Sequence, residues 1–125
     1  MAASSKHLKT MLLVDDTDDS RVLTKWFFDT LGYAVDSARS AEEALSLFDP
    51  EIHAVVFTDN SMPGMTGAQL SHAIKERSPG TPIVMHTGNP PDDLSCVDLL
   101  IPKPANLIEV EQNLSKLLVN WRAGG

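Results

Sequence analysis

The sequence holds one cysteine, Cys96, in 125 residues, so no disulfide can close within it and a reducing compartment is expected. No base or cation motif flanks that cysteine in sequence, and it reads as a partly buried thiol. Positive charge is also scarce. Ten Lys and Arg stand against 17 Asp and Glu, a net charge of −7, which argues against a nucleic-acid or anionic-membrane surface. Long apolar runs are missing too: MLLV and AVVF are the length of strands, far short of a membrane span. The N-terminal MAASSKHLKT lacks the apolar stretch of a signal peptide. A cytoplasmic location is therefore expected. With no repeat, linker or low-complexity tract, residues 1–125 read as one domain with a core over about 8–121.

What is present is a regular alternation. Short apolar runs at Met11–Val14, Tyr33–Val35, Ala54–Phe57, Ile83–Met85 and Val97–Ile101 have the continuous character of parallel strands buried on both faces. Helical segments separate them. Ser20–Leu31 carries Val22, Leu23, Trp26, Phe27 and Leu31 as its expected packing stripe and stops at Gly32. Ser40 with Glu43, Thr66, and Asn106 with Glu109 are helix N-cap signals. Ala41, Ala44, Leu45 and Phe48 follow the first of these, Leu70, Ala73 and Ile74 the second. Leu107, Val110, Leu114, Leu117, Leu118 and Trp121 follow the third, before a WRAGG end expected to fray. Strand and helix alternate about five times, which implies right-handed crossovers and an α/β doubly wound, five-stranded parallel sheet. Ligands of such sheets bind beyond the carboxyl ends of the strands.

The first strand runs into DDTDD, four carboxylates in five positions. Two carboxylates about 4 Å apart repel by roughly 4 kcal/mol at an effective dielectric near 20, so these acids either fan out into water or surround a cation. The other strand tips favour the cation. The third ends in Asp59, followed by NSMPGMTG; the fourth ends in Thr87-Gly88; the fifth leads into Lys103-Pro104. Clustered carboxylates suit a hard divalent ion such as Mg²⁺, which takes one or two of them with waters and a phosphate oxygen. A lysine and a hydroxyl suit a phosphoryl group, and an aspartate can accept one covalently.

Taken in order, DD, D-x-x-M-P-G-M-x-G, T-G and K-P resemble the response-regulator receiver domain, and the resemblance covers nearly the whole chain. It implies a flavodoxin-like (βα)5 fold. It also implies that Asp59 takes a phosphoryl group from a histidine kinase or histidine phosphotransfer protein in a Mg²⁺-dependent reaction and then switches conformation toward a downstream protein. Such a domain catalyses its own phosphorylation and dephosphorylation without being a conventional enzyme. The resemblance makes Asp16, Asp59 and the Ser61 carbonyl the metal ligands, with Asp15 acting through water. Lys103 and Thr87 would meet the phosphoryl group, and the Asn60 and Gly88 amides would complete its cradle. A cis Lys103–Pro104 peptide is implied as well, a form seen at only about 5% of X–Pro bonds. Asp18 and Asp19 are left as first-turn residues favoured by the helix dipole.

Other readings compete. A calcium loop has Asp16, Asp18 and Ser20 at the right spacing but Arg21 and Phe27 where glycine and glutamate are needed. An aspartyl phosphatase would need a second aspartate where Ser61 stands. A dinucleotide fold would need G-x-G-x-x-G after the first strand. His7, His53, His72 and His86 lack metal-ligand spacing; His86 reads as a hydrogen-bonded strand-end residue. Trp26 and Trp121 read as packing, and Met62 and Met65 as shaping the turn after Asp59. Three departures from the family stand out. GNPPDDLSCVDLLIP is short for a loop, helix and strand, so the fourth helix is expected to shrink to a turn near Pro91–Leu94 or vanish. Leu100 stands where an aromatic is usual, and Pro102 directly precedes Lys103. A phosphorylation-independent interaction module is the alternative function. The chain reads equally as a stand-alone regulator or a receiver from a hybrid kinase.

Overall fold

The computed structural model describes residues 9–124. Five strands, β1 (Thr10–Val14), β2 (Ala34–Ala38), β3 (Val55–Thr58), β4 (Ile83–Thr87) and β5 (Leu99–Pro102), form one parallel sheet in the order β2-β1-β3-β4-β5. This is the expected doubly wound, flavodoxin-like arrangement. The strands with continuous apolar sequence, β1, β3 and β4, are the inner three and are buried throughout. β2 and β5 lie at the edges and are partly exposed. Edge position explains why β2 outruns its expected end at Val35: Asp36 and Ser37 interrupt its apolar pattern without interrupting its pairing to β1. β5 begins at Leu99 rather than Val97, because the Asp98 carboxylate accepts the Ile83 N–H at 2.8 Å just before the ladder starts.

Four helices cover the sheet: α1 (Asp18–Thr30), α2 (Ala41–Leu47), α3 (Gly67–Arg77) and α4 (Leu107–Gly124). On one face Phe28 of α1 and Val110, Leu114 and Leu118 of α4 pack on Met11, Leu13, Phe57 and Val84. On the other, Ala41 and Ala44 of α2 and Leu70 and Ile74 of α3 pack on Leu12, Val14, Val56 and Ile83, with Met62 buried beside them. The N-cap signals are realised: the Ser40 hydroxyl accepts the Glu43 N–H, Thr66 and Gln69 form a reciprocal box, and Asn106 accepts the Glu109 N–H. Gly32, just past α1, takes a φ of 89°, a region glycine enters without strain. α4 extends to Gly124. No helix among the described residues is long and apolar enough to cross a membrane, and His7 lies outside them.

No helix forms between β4 and β5; residues 88–98 run as a loop along α3. The expectation for α1 is corrected. Val22, Leu23 and Trp26 face outward, 63%, 56% and 62% exposed, while Thr24 and Phe28 are buried. The polar residues at its start set this rotation. Ser20 and Arg21 both bond Asp15 at the β1 tip, and positions 20, 24, 27 and 28 share one helical face. Anchoring that face inward turns Trp26 out, so its reading as packing fails. Trp121 is partly buried, its Nε1–H donating to the Gly80 carbonyl at 2.8 Å.

Candidate functional site

Parallel pairing brings the carboxyl ends of all five strands to one edge, and register decides which residues meet there. Val14 lies opposite Thr58, so Asp15 and Asp59 leave adjacent strands at the same level, and Asp59 N–H donates to Val14 O at 3.0 Å. Thr87 pairs with Pro102, and the next N–H, of Lys103, donates to Thr87 O at 2.9 Å. The Lys103 side chain therefore starts beside β4 and points back toward β3. Its Nζ donates to Asp59 Oδ2 at 3.0 Å. The Lys103–Pro104 peptide is cis, as the resemblance implies.

Asp59 is held on its other oxygen as well. Oδ1 accepts the Asn60 N–H at 2.6 Å and the Ser61 N–H at 3.4 Å. Burial raises the Asp59 pKa, but the Thr87 hydroxyl, the Lys103 ammonium and the Asn60 amide lower it by more, and the net position is below the ordinary carboxylate value. At neutral pH Asp59 is an anion, in a pocket that leaves its side chain 14% exposed. The loop after it is held in place by close approach. Gly67 N–H donates to Asn60 O at 2.9 Å, and a Cβ on Gly67 would overlap the Asp59 carbonyl and lie 2.8 Å from Asn60 Cα. Only glycine fits. Gly64, with φ 76°, turns the same loop beside Glu42.

The two acids after β1 divide. Asp15 is buried, and both of its oxygens are taken: Oδ1 accepts the Thr17 N–H at 3.0 Å and Oδ2 the Ser20 hydroxyl at 2.5 Å. Asp16 is partly exposed and stands outside these bonds. Asp18 pairs with Arg21 at 2.6 Å in the first turn of α1, which accords with its reading as a first-turn residue. Among the described residues no three His, Cys, Asp or Glu side chains converge as a metal cage. The arrangement fits an ion that keeps several waters and takes one or two carboxylates, and it fits poorly an ion needing three.

Gly88 follows Thr87 on the exposed strand tip, with ordinary space around its Cα. His86 is buried with Nδ1 2.8 Å from Ile101 O, the hydrogen-bonded strand-end residue expected; burial pulls its pKa down. Sequence reading missed Asn89. Its side chain donates to Ser61 Oγ at 2.9 Å, its carbonyl accepts from Asn60 Nδ2 at 3.1 Å, and its N–H donates to Thr87 Oγ1 at 3.1 Å. Asn60, whose Oδ1 accepts the Ala68 N–H, thus joins α3 to the 88–98 loop. An asparagine two residues beyond a strand-tip hydroxyl was the only signal available.

Comparison with known proteins gives the family. The family model for the response regulator receiver domain matches residues 11–105. The sensor protein EvgS of Escherichia coli is 32% identical over 114 residues, covering 86% of this chain and 10% of EvgS. The autoinducer 1 sensor kinase/phosphatase LuxN of Vibrio campbellii is 32% identical over 117 residues, covering 90% of this chain and 13% of LuxN. The chain thus spans about a tenth of the length of these relatives. Among solved structures, a CheY-like receiver domain protein from Methanospirillum hungatei superposes with a TM-score of 0.88 at 27% identity, covering 95% of this chain and all of that one. The response regulator TrrA of Thermotoga maritima, solved in complex with Mg²⁺ and BeF, gives 0.80 at 31% identity, covering 87% and 98%.

Fold, strand-tip residues and matched span define one class, the receiver domain of two-component systems. The chain belongs to the response regulator receiver domain family.

Proposed function

We propose that Asp59 is a phosphoacceptor, receiving its phosphoryl group from a phosphohistidine on a histidine kinase or histidine phosphotransfer protein. The observation that carries this is the Asp59 carboxylate, ionised and fixed on both oxygens, 3.0 Å from the Lys103 ammonium. A nucleophile needs its lone pair free of a proton, and the lowered pKa supplies that at neutral pH. An Asp59 oxygen forms the new P–O bond as the P–N bond to the donor imidazole breaks, and the imidazole leaves with a proton from solvent. Lys103 offsets the incoming negative charge as a point cation, and Thr87 offers its hydroxyl. The Asn60 and Gly88 amides lie on the two loops that would flank the group.

Asp16, Asp59 and the Ser61 carbonyl are the residues that would hold Mg²⁺, with Asp15 supporting through water and holding the β1–α1 turn. When bound, the ion neutralises charge on the transferring phosphoryl oxygens. Relatives support this reading in their own terms: TrrA has been solved with Mg²⁺ and BeF, and also in complex with the histidine kinase ThkA. The conformational output would control a downstream protein partner, in a cytoplasmic setting.

The test is intact mass after incubation with acetyl phosphate. One added phosphoryl group is expected with Mg²⁺, and none with chelator or in Asp59→Asn. No addition under any condition would leave the phosphorylation-independent interaction module as the better reading.

A further inference from the structure

The loop that replaces the helix between β4 and β5 brings Cys96 to a base that is distant in sequence. His72, on the exposed side of α3, has Nδ1 3.5 Å from Cys96 Sγ and Nε2 2.9 Å from Asp93 Oδ2. One tautomer satisfies both contacts: Nε2–H donates to the carboxylate, and the Nδ1 lone pair accepts the thiol proton. Asp93 is anchored separately, its Oδ1 accepting the Ser95 N–H at 2.9 Å and the Ser95 hydroxyl at 2.6 Å. The Ser95 hydroxyl and amide, then His72, bring the Asp93 pKa to about 2, so the carboxylate stays charged while it orients the ring. Nucleophile, base and oriented third group in this order are the arrangement that activates a thiol. The set is unsuited to a metal, since Cys96 and Asp93 address opposite ring nitrogens, and no metal cage exists among the described residues. It is also open: His72 is half exposed, and Cys96 is partly so. The other charged groups of these two elements near it are Lys75 and Glu76 on α3 and Asp92 and Asp98 on the loop, with Lys75 committed to Asp98 at 2.8 Å.

We propose that Cys96 is a reactive thiol, activated by His72 with Asp93 as its positioning residue, that exchanges with low-molecular-weight disulfides. His72 Nδ1 takes the thiol proton, and the Cys96 sulfur attacks one sulfur of the disulfide. The S–S bond of that molecule breaks as a mixed disulfide forms on Cys96, and the departing thiolate takes the proton from His72. Cys96 is oxidised, and half of the small disulfide is reduced to thiol. Modification removes the S–H donor from His72 and so loosens the loop from α3.

The test is the rate of reaction with 5,5′-dithiobis(2-nitrobenzoic acid), followed by the released thiolate, across a pH series on the folded protein. Cys96 is the sole cysteine, so Cys96→Ser must abolish the signal. At about pH 6 the wild type should react roughly fivefold faster than His72→Gln, with Asp93→Asn between them. The gap should close by about pH 9, where solvent ionises any thiol and a more basic one is the better nucleophile. Glutathione disulfide should give the corresponding adduct by intact mass. Equal rates for wild type and His72→Gln across the series would overturn the proposal, whatever the absolute reactivity.

Discussion

The Thr87 hydroxyl accepts the backbone N–H of Asn89 at 3.1 Å, which joins the proposed phosphoryl site to the loop standing in place of a helix. If the Thr87 side chain shifts from the Asp59 carboxylate to a phosphoryl group on it, the oxygen that accepts the Asn89 N–H shifts too, while the Asn89 carbonyl and side chain are held by Asn60 and Ser61. A phosphoryl group adds roughly −1.5 to −2 charge, and it can bias only an element with two arrangements. Amide exchange over residues 88–98 should therefore change several-fold on phosphorylation. Unchanged protection there would remove the loop from the signalling path. Leu100 at the usual aromatic position is partly buried opposite Met85 in the ladder, with no ring to rotate.

Lys103→Met should raise the Asp59 pKa, because it removes a hydrogen bond and the nearest cation while burial continues to act. Carboxyl NMR titration would read the shift directly, and an unmoved Asp59 would mean that Thr87 and Asn60 alone hold the charge. The sign for stability follows from a depressed acid: Asp59 stabilises the fold above its unfolded value of 3.8, and this is lost as pH falls through the folded value. His86, also depressed, stabilises above its unfolded value of 6.5 and loses this as pH falls below it. Urea midpoints for the wild type should thus begin to fall just below neutrality, and His86→Gln should flatten that first decline.

Gly67→Ala should cost about 1–3 kcal/mol by urea unfolding, the usual penalty for overpacking, since the new methyl meets the Asp59 carbonyl and Asn60 Cα. Phosphorylation from acetyl phosphate should slow as well, because the displaced backbone carries Asp59, the proposed acceptor. Wild-type stability and rate together would show that the β3–α3 loop has slack.

Trp26→Ser and Phe28→Ala distinguish the two faces of α1. The first removes a large ring that is mostly solvated and should change stability within about ±0.5 kcal/mol. The second empties a fully buried site against Tyr33 and Phe57 and should cost about 3–5 kcal/mol. A large loss in Trp26→Ser would return that residue to the core.

These two aromatics mark where the sequence was and was not legible. The strand tips could be read because parallel topology converts position in sequence into place at one edge: Asp59, Thr87 and Lys103 follow apolar runs, and the register then brings them together. Helix rotation could not be read from apolar content, because Ser20 and Arg21, bound to Asp15, outweigh Val22, Leu23 and Trp26 in setting which side faces the sheet. Nor could apolar content show that Thr17 and Ser20 bond the two Asp15 oxygens, contacts that leave lone pairs for the water-mediated role proposed for it. Asn89 and the Cys96–His72 contact were hidden for another reason. Both depend on where a loop without periodicity lies against α3, and only tertiary packing fixes that.

The most direct measurement is to locate the phosphoryl group by residue. The protein phosphorylated with acetyl phosphate and Mg²⁺ is trapped by borohydride reduction of the acyl phosphate, digested and mapped by mass spectrometry. Reduction at Asp59 alone, lost in Asp59→Asn, is the expected result. A trapped residue at Asp16 or elsewhere, with Asp59 unmodified, would contradict the assignment of Asp59 as the acceptor.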